Sequence, residues 1–394
     1  MTVSMEHHDP ADLGMSAERL AVAASIMDRQ FADGRSPMLV LLVARHGRVV
    51  FSHCVGDARP GGPPVTIDSI FPIASQTKPM TAAVIMALAE RGMVGLPESA
   101  SLVLPELAAE HPEVMVYHLL THTSGWHDDD QTAARTEQLD HLLATIPDGT
   151  DPLTHIMLGA GWDVPRRRRV GALMQYCNFN YSALGEIARR VTGDTLDAAM
   201  RRYLFEPIGM ASSAMIVGDD LAPRVIERPS GIPYGPDHDF SPISFNDPLW
   251  AASDDGASGV HASAADLLRF WQMILDRGVV GPQRVLSPDA VRVMTTDQIP
   301  GIGVELLGHS KSAASWGFGF GVAGTEAWKN FGGGTSHPSS IRHGGAGGIG
   351  GWIDPLSGVV AVSIEIFTEV DEFSLPRNAA GHRLIDVVNA AVLT

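Results

Sequence analysis

Cysteine is nearly absent: Cys54 and Cys177 are the only two in 394 residues, and they stand too far apart to suggest a disulfide framework. No apolar run approaches membrane-spanning length, and the longest, Met38–Ala44, is the size of one strand. The first ten residues, Met-Thr-Val-Ser-Met-Glu-His-His-Asp-Pro, have neither the cationic start nor the apolar core of a signal peptide. Positive charge is scarce, with 28 Lys and Arg against 45 Asp and Glu and a net charge of −17. That balance argues against nucleic acid or an anionic membrane as a partner. The one basic run, Arg166–Arg169, reads as a solvated loop on an acidic background. Internal repeats, low-complexity tracts and the lipase-type Gly-x-Ser-x-Gly are also missing, so an α/β-hydrolase is not a competing reading. The expectation is a soluble cytoplasmic protein without a membrane or nucleic-acid partner; a homo-oligomer is compatible with it.

With 45% hydrophobic and 19% charged residues the chain is ordinary globular protein, long enough for two domains or for one body with an inserted lobe. Leu20, Ala23, Ile26, Met27 and Phe31 predict an amphipathic helix over Ser16–Phe31. Met38–Ala44 and Val49–Val55, joined at His46-Gly47-Arg48, predict a hairpin, and a Gly/Pro-rich loop follows. Residues Gly92–Met210 are mostly helical in pattern, with a short helix in Val116–Gly125 and another over Tyr181–Val191. Trp126–Gly171 is polar, broken by prolines and weakly periodic, and reads as a long loop forming a lid or pocket wall. A helix over Leu267–Leu275, strands at Trp316–Val322, within Ser340–Trp352 and at Val359–Phe367, and a closing helix Arg383–Leu393 complete the chain. Strands at both ends with helices between them weigh against an alternating doubly wound fold.

The chemistry centres on Ser75-Gln76-Thr77-Lys78. Apolar residues Val84, Ile85, Leu88 and Ala89 place a helix after it, so Ser75 stands at a helix start with Lys78 on the same face of the first turn. A serine hydroxyl becomes nucleophilic when a neighbouring base takes its proton, and a partly desolvated lysine can be that base. The helix N-terminus adds N–H groups suited to a developing oxyanion. Taken alone the tetrad reads first as an N-cap serine followed by a surface lysine, a common pairing. Tyr176 and Asn178 sit in a loop that runs into a helix; by themselves they read as a loop anchor or as polar groups satisfying a turn. His118 and His122 at i, i+4, followed by His127 and Asp128–Asp130, have metal-like spacing, but no glutamate follows the first histidine and the acidic run fits a solvated loop. No metal or cofactor is expected.

Ser75-x-x-Lys78, Tyr176-x-Asn178 and His343-Gly344-Gly345, in that order, resemble the serine β-lactamase and penicillin-recognising superfamily, and within it the class C β-lactamases and family VIII carboxylesterases most. His122-Thr-Ser-Gly125, Gly256–Asp266 and Trp316-Gly-Phe-Gly319 support the resemblance, which runs from about Met38 to Phe367. It implies an α+β fold, an antiparallel sheet flanked by helices with an inserted mainly helical lobe: residues 1–90 and 212–394 for the sheet domain, 91–211 for the helical one. It implies Ser75 as nucleophile, with Lys78 and Tyr176 sharing the base and acid work. Tyr176 would be nearest the serine proton, its own proton loss favoured by the lysine charge. Asn178 would orient substrate or Lys78, and the backbone N–H groups of Ser75 and Ala346 would form the oxyanion hole. Trp126, His343, Gly344 and Gly345 would line the substrate site.

The third motif departs from the β-lactamase pattern, Lys-Thr-Gly, whose lysine and hydroxyl help hold a β-lactam carboxylate. His343 removes a permanent cation, because an ordinary histidine is charged only occasionally at pH 7. The resulting expectation is a serine carboxylesterase for small, neutral, hydrophobic esters. The alternatives are a β-lactamase, a D-amino-acid peptidase or amidase, or an acyltransferase on the same Ser-Lys-Tyr machinery, and, from another class, a sensor domain that keeps the fold.

Overall fold

The computed structural model describes residues 3–147, 150–238, 243–306, 309–311, 315–326, 333–369 and 381–394. Its main sheet has seven strands: β1 Ser4–His7, β2 Met38–Arg45, β3 Arg48–Gly56, β4 Gly321–Val322, β5 Ile341–Gly345, β6 Ile349–Asp354 and β7 Val359–Glu365. Their order across the sheet is β1-β3-β2-β7-β6-β5-β4. All pairings are antiparallel except β1 with β3, an edge strand that the sequence pattern does not announce. The β2–β3 hairpin turns on His46 and Gly47, both at positive φ (49° and 74°), a backbone suited to a tight two-residue hairpin loop.

Both sheet faces are covered, which explains why β2 is apolar at every position but its last. Alternate residues Leu39, Leu41 and Val43 meet Leu20, Ala23 and Met27 of helix α1 (Ala17–Ala32) and Leu384 and Val388 of the last helix, Gly381–Ala391. The other set, Val40, Leu42 and Ala44, joins the larger core with Val360, Val362 and Ile364 of β7. Into that core runs helix α2 (Thr77–Ala89), in which every residue from Thr77 to Leu88 is buried. The sequence suggests a one-sided helix there. The structure buries it all round, consistent with Ala82, Ala83, Met86 and Ala87 filling the remaining faces.

Further differences have local causes. Trp316–Val322 is a strand only over Gly321–Val322, because Gly319 at φ +85° turns the chain. Ser340–Trp352 divides into β5 and β6 around a turn at residues 346–348. The stretch 126–171 is not a structureless loop: it holds helices α4 (Asp128–Ala144) and α5 (Pro152–Gly159), following α3 (Val116–Leu120). Helix α4 buries only Gln131 and Leu142, so it leaves almost no periodicity to read. Its three leading aspartates, which suggest a solvated loop, occupy the first helical turn, where negative charge favours the helix. Helix α6 (Asn178–Thr192) begins three residues earlier than expected and so includes Asn178. None of the helices is long and apolar enough to cross a membrane, among the described residues.

Candidate active site

Within Phe71–Met80 every residue is buried except Ser75. The short strand Ile70–Pro72 pairs with His261–Ser263 and delivers the chain to a 3-10 turn, Ala74–Gln76, that leads directly into α2. Ala74 holds φ +47°, a left-handed conformation unfavourable for a residue with a side chain, so the backbone bends sharply immediately before the serine.

Beneath Ser75, Lys78 is fully enclosed, and its Nζ donates to three acceptors: Ser75 Oγ at 2.9 Å, Asn178 Oδ1 at 2.7 Å and the Ala257 carbonyl at 3.0 Å. Three acceptors match the three N–H bonds of an ammonium. The Ala257 carbonyl arrives because Thr81 Oγ1 donates to the neighbouring Gly256 carbonyl at 2.7 Å and residue 256 is glycine. A Cβ there would lie 2.5 Å from the Tyr181 carbonyl oxygen. Burial lowers the Lys78 pKa from 10.5 to about 8, against the pull of Asp255, Asp128 and Cys177 in the other direction.

Tyr176 stands beside Ser75, and its ring lies 4.9 Å from Lys78 Nζ. His122 stacks on that ring at 4.4 Å, with Trp316 edge-on at 6.2 Å and His343 at 6.2 Å. These surroundings correct the expectation of an easily ionised tyrosine. Burial holds Tyr176 well above the ordinary phenol value, and its contact with Ser75 offsets only part of that. Burial thus moves the two in opposite directions, the lysine down toward neutrality and the phenol away from it.

Strand β5 runs alongside. Gln76 Nε2 donates to the His343 carbonyl at 2.6 Å, and a Cβ on Gly345 would lie 2.2 Å from the Ile73 carbonyl oxygen. Only glycine permits that approach of β5 to the turn bearing Ser75. Gly344 is exposed, and Ala346 stands at the start of the following turn. His343 is buried with its Nδ1 at 2.7 Å from the Gly344 carbonyl, and burial beside Lys78 pushes its pKa down to about 3. It is neutral at pH 7, where the sequence suggests an occasional charge.

Trp126 is not at the site. It is fully buried in the helical part, its indole N–H donating to the Val164 carbonyl at 2.9 Å and its ring set edge-on to Phe179 and His111. His118 and His122 do not converge either: His118 Nδ1 accepts the Met115 N–H in α3, and His122 Nδ1 accepts the Cys177 N–H. Arg166 and Arg167 of the basic run pair with Glu113 and Asp130.

A buried lysine under an accessible serine, with a phenol alongside, can generate a serine nucleophile. The family model described as Beta-lactamase matches residues 23–365, almost the whole length of this architecture. The chain belongs to the β-lactamase family. It is 28% identical over 349 residues to Esterase EstB of Burkholderia gladioli, covering 79% of this chain and 82% of that protein. To Penicillin-binding protein 4 of Amycolatopsis lactamdurans it is 31% identical over 268 residues, 66% of this chain and 64% of the relative. Its fold matches a crystal structure of a family VIII carboxylesterase with a TM-score of 0.73, at 21% identity, over 96% of this chain and 99% of that one. The protein is a serine hydrolase of the penicillin-recognising superfamily, with the mixed α/β fold of that group.

Within this β-lactamase-family site, sequence reasoning missed two carboxylates. Asp128 accepts the Asn178 backbone N–H and an Nδ2–H, and Asp255, fully buried, accepts from Ser182, Ser258 and the Ala257 N–H. The first was hidden in an acidic run and the second stands one residue before Gly256–Asp266, noted only as a supporting match. His122, noted for the His118/His122 spacing and within His-Thr-Ser-Gly, is the stacking partner of Tyr176.

Proposed function

We propose that this serine hydrolase cleaves small, neutral, hydrophobic carboxylic esters through an acyl-enzyme on Ser75. The observation that carries the ester reading is His343, a buried neutral ring at the position where β-lactamases carry a cation. Without that cation a substrate carboxylate loses its anchor, and neutral esters are relatively favoured. The similarity to Esterase EstB supports the same choice.

In this reading the neutral form of Lys78 accepts the Ser75 proton as Oγ attacks the ester carbonyl carbon. The carbonyl electron pair moves onto oxygen, where the backbone N–H groups of Ser75 and Ala346 receive it. Collapse breaks the bond to the alcohol oxygen, which takes the Tyr176 proton, and the Lys78 ammonium returns a proton to the tyrosine. A phenol held above its ordinary pKa donates well to a departing alkoxide, a much stronger base. Water then attacks the acyl carbon, and the same groups run in reverse to release acid and regenerate Ser75. Asn178 holds Lys78 in place, while Gly344 and Gly345 leave the strand edge open to substrate.

The relation to Penicillin-binding protein 4 favours a second reading, acyl transfer from a β-lactam or a peptide on the same serine. Intact-protein mass spectrometry after incubation with p-nitrophenyl butyrate or a chromogenic cephalosporin, in wild type and Ser75→Ala, separates the two. The ester reading expects a butyryl adduct that needs Ser75, with kcat/KM for the cephalosporin lower by about tenfold or more. A cephalosporin that acylates and turns over faster than the ester overturns it.

A further inference from the structure

We propose that Asp128 is the positioning residue for Lys78, acting through the side chain of Asn178. The inference rests on the reading of Lys78 as the base for Ser75. Asp128 Oδ1 accepts the Asn178 backbone N–H at 2.8 Å, and its Oδ2 accepts the Asn178 Nδ2–H at 2.9 Å. A carboxylate can only accept, so it dictates which way the amide faces. The Nδ2 end must turn to Asp128, and the Oδ1 end is left for Lys78 Nζ at 2.7 Å. The flipped amide would set oxygen against carboxylate and NH2 against ammonium, unfavourable at both ends.

The other acidic residues of that helical turn are used elsewhere: Asp130 binds Arg167, and Asp129 faces His127 and Arg167. Asp128 alone of the three turns toward the site, and among the described residues its hydrogen bonds go to Asn178 only. A matching arrangement stands on the opposite side of the lysine. Asp255 accepts the Ala257 N–H at 3.1 Å and the Ser258 hydroxyl at 2.9 Å, fixing the loop whose Ala257 carbonyl accepts from Nζ. The three acceptors of Lys78 are thus the serine itself and two oxygens, each set by one carboxylate.

The groups that face Lys78 are Asp255 from the 252–260 loop, Asp128 from α4, Cys177 and Tyr176 before α6, Tyr181 on α6, His122 after α3 and His343 on β5. The two carboxylates stabilise the ammonium, and both histidines are held neutral by burial. Deleting the Asp128 charge therefore makes Lys78 lose its proton at lower pH, and a freed amide that turns its NH2 toward Nζ acts in the same direction.

The test uses Asp128→Asn and Asp128→Ala, with Asp128→Glu as the variant that keeps the charge. The chain has three lysines, Lys78, Lys311 and Lys329, so the Lys78 13Cε resonance is assignable with Lys78→Arg and its titration can be followed directly. The two neutral variants should lower the Lys78 midpoint, and with it the rising limb of kcat/KM for p-nitrophenyl butyrate, by about one pH unit. Their plateau at high pH should fall about tenfold as the base is misplaced, while Asp128→Glu keeps a midpoint close to wild type. A merely structural Asp128 would lower activity evenly at all pH values and leave the midpoint unmoved; that result in folded protein overturns the proposal. Loss of folding in both neutral variants overturns it as well, since the carboxylate would then serve the fold first. If wild-type Ser75 takes no acyl group from the ester, the functional reading fails, and the Lys78 titration still reports on Asp128 independently.

Discussion

Turnover should follow the ionisation of Lys78, and its enclosure sets the scale. Burial brings its pKa from 10.5 to about 8. At pH 7 an ordinary lysine is neutral in roughly three molecules per ten thousand, and at a pKa of about 8 in roughly one of eleven, a gain of about 300-fold in the neutral form. Only the neutral form can take the Ser75 proton, so kcat/KM must rise with pH. Between pH 7 and pH 9 the neutral fraction grows from roughly a tenth to roughly nine tenths, predicting about a tenfold increase with unit slope below the midpoint. The assay is initial-rate hydrolysis of p-nitrophenyl butyrate from pH 6 to 10, corrected for spontaneous hydrolysis, alongside the 13Cε titration. Tyr176→Phe is the control: Tyr176 stays protonated through this range, so its loss should reduce the rate and leave the limb in place. A limb centred at pH 10 or above, a flat profile from pH 6 to 9, or a limb that vanishes in Tyr176→Phe would refute the assignment of Lys78 as the titrating base.

Gly345→Ala should cost about 2 kcal/mol or more in urea unfolding and lower kcat by at least about tenfold, because the added methyl lies 2.2 Å from the Ile73 carbonyl oxygen and must push β5 away from Ser75. Wild-type activity in that variant would show that β5 does not shape the site. Trp126→Phe should destabilise by about 1–3 kcal/mol through the orphaned Val164 carbonyl and lost packing, and leave KM within about twofold, since Trp126 is a core residue. A large KM change would return it to the substrate pocket. His343→Lys should raise the cephalosporin-to-butyrate ratio of kcat/KM by about ten- to a hundredfold and, by placing a cation beside Lys78, move the alkaline limb to lower pH. An unchanged ratio in folded protein removes position 343 from the specificity argument.

Much of this molecule is written in local pattern. Three short motifs, the β2–β3 hairpin, the strand-first and strand-last order and the short helix before His122 are legible because periodicity and turn residues act over a few positions. Helix α4 was not legible: a helix that buries two residues of seventeen carries no stripe, and its aspartates signal a helix start only once the helix is known to follow. The same limit governs the site. Residue types at Ser75, Lys78, Tyr176 and Asn178 name the chemistry, but which group is the base depends on how much water each one loses, and that is set by side chains distant in sequence. Trp126 could as well have faced a pocket as a core, and the packing of Phe179 and His111 decided it. Asp128 reaches Asn178 across fifty positions, and Ala257 reaches Lys78 across 179. Sequence by itself pointed to Ser75 as the candidate nucleophile and to its candidate partners, because those are matters of chemical identity. Tertiary structure alone decided their protonation and orientation, because desolvation and hydrogen-bond direction are properties of the assembled surroundings.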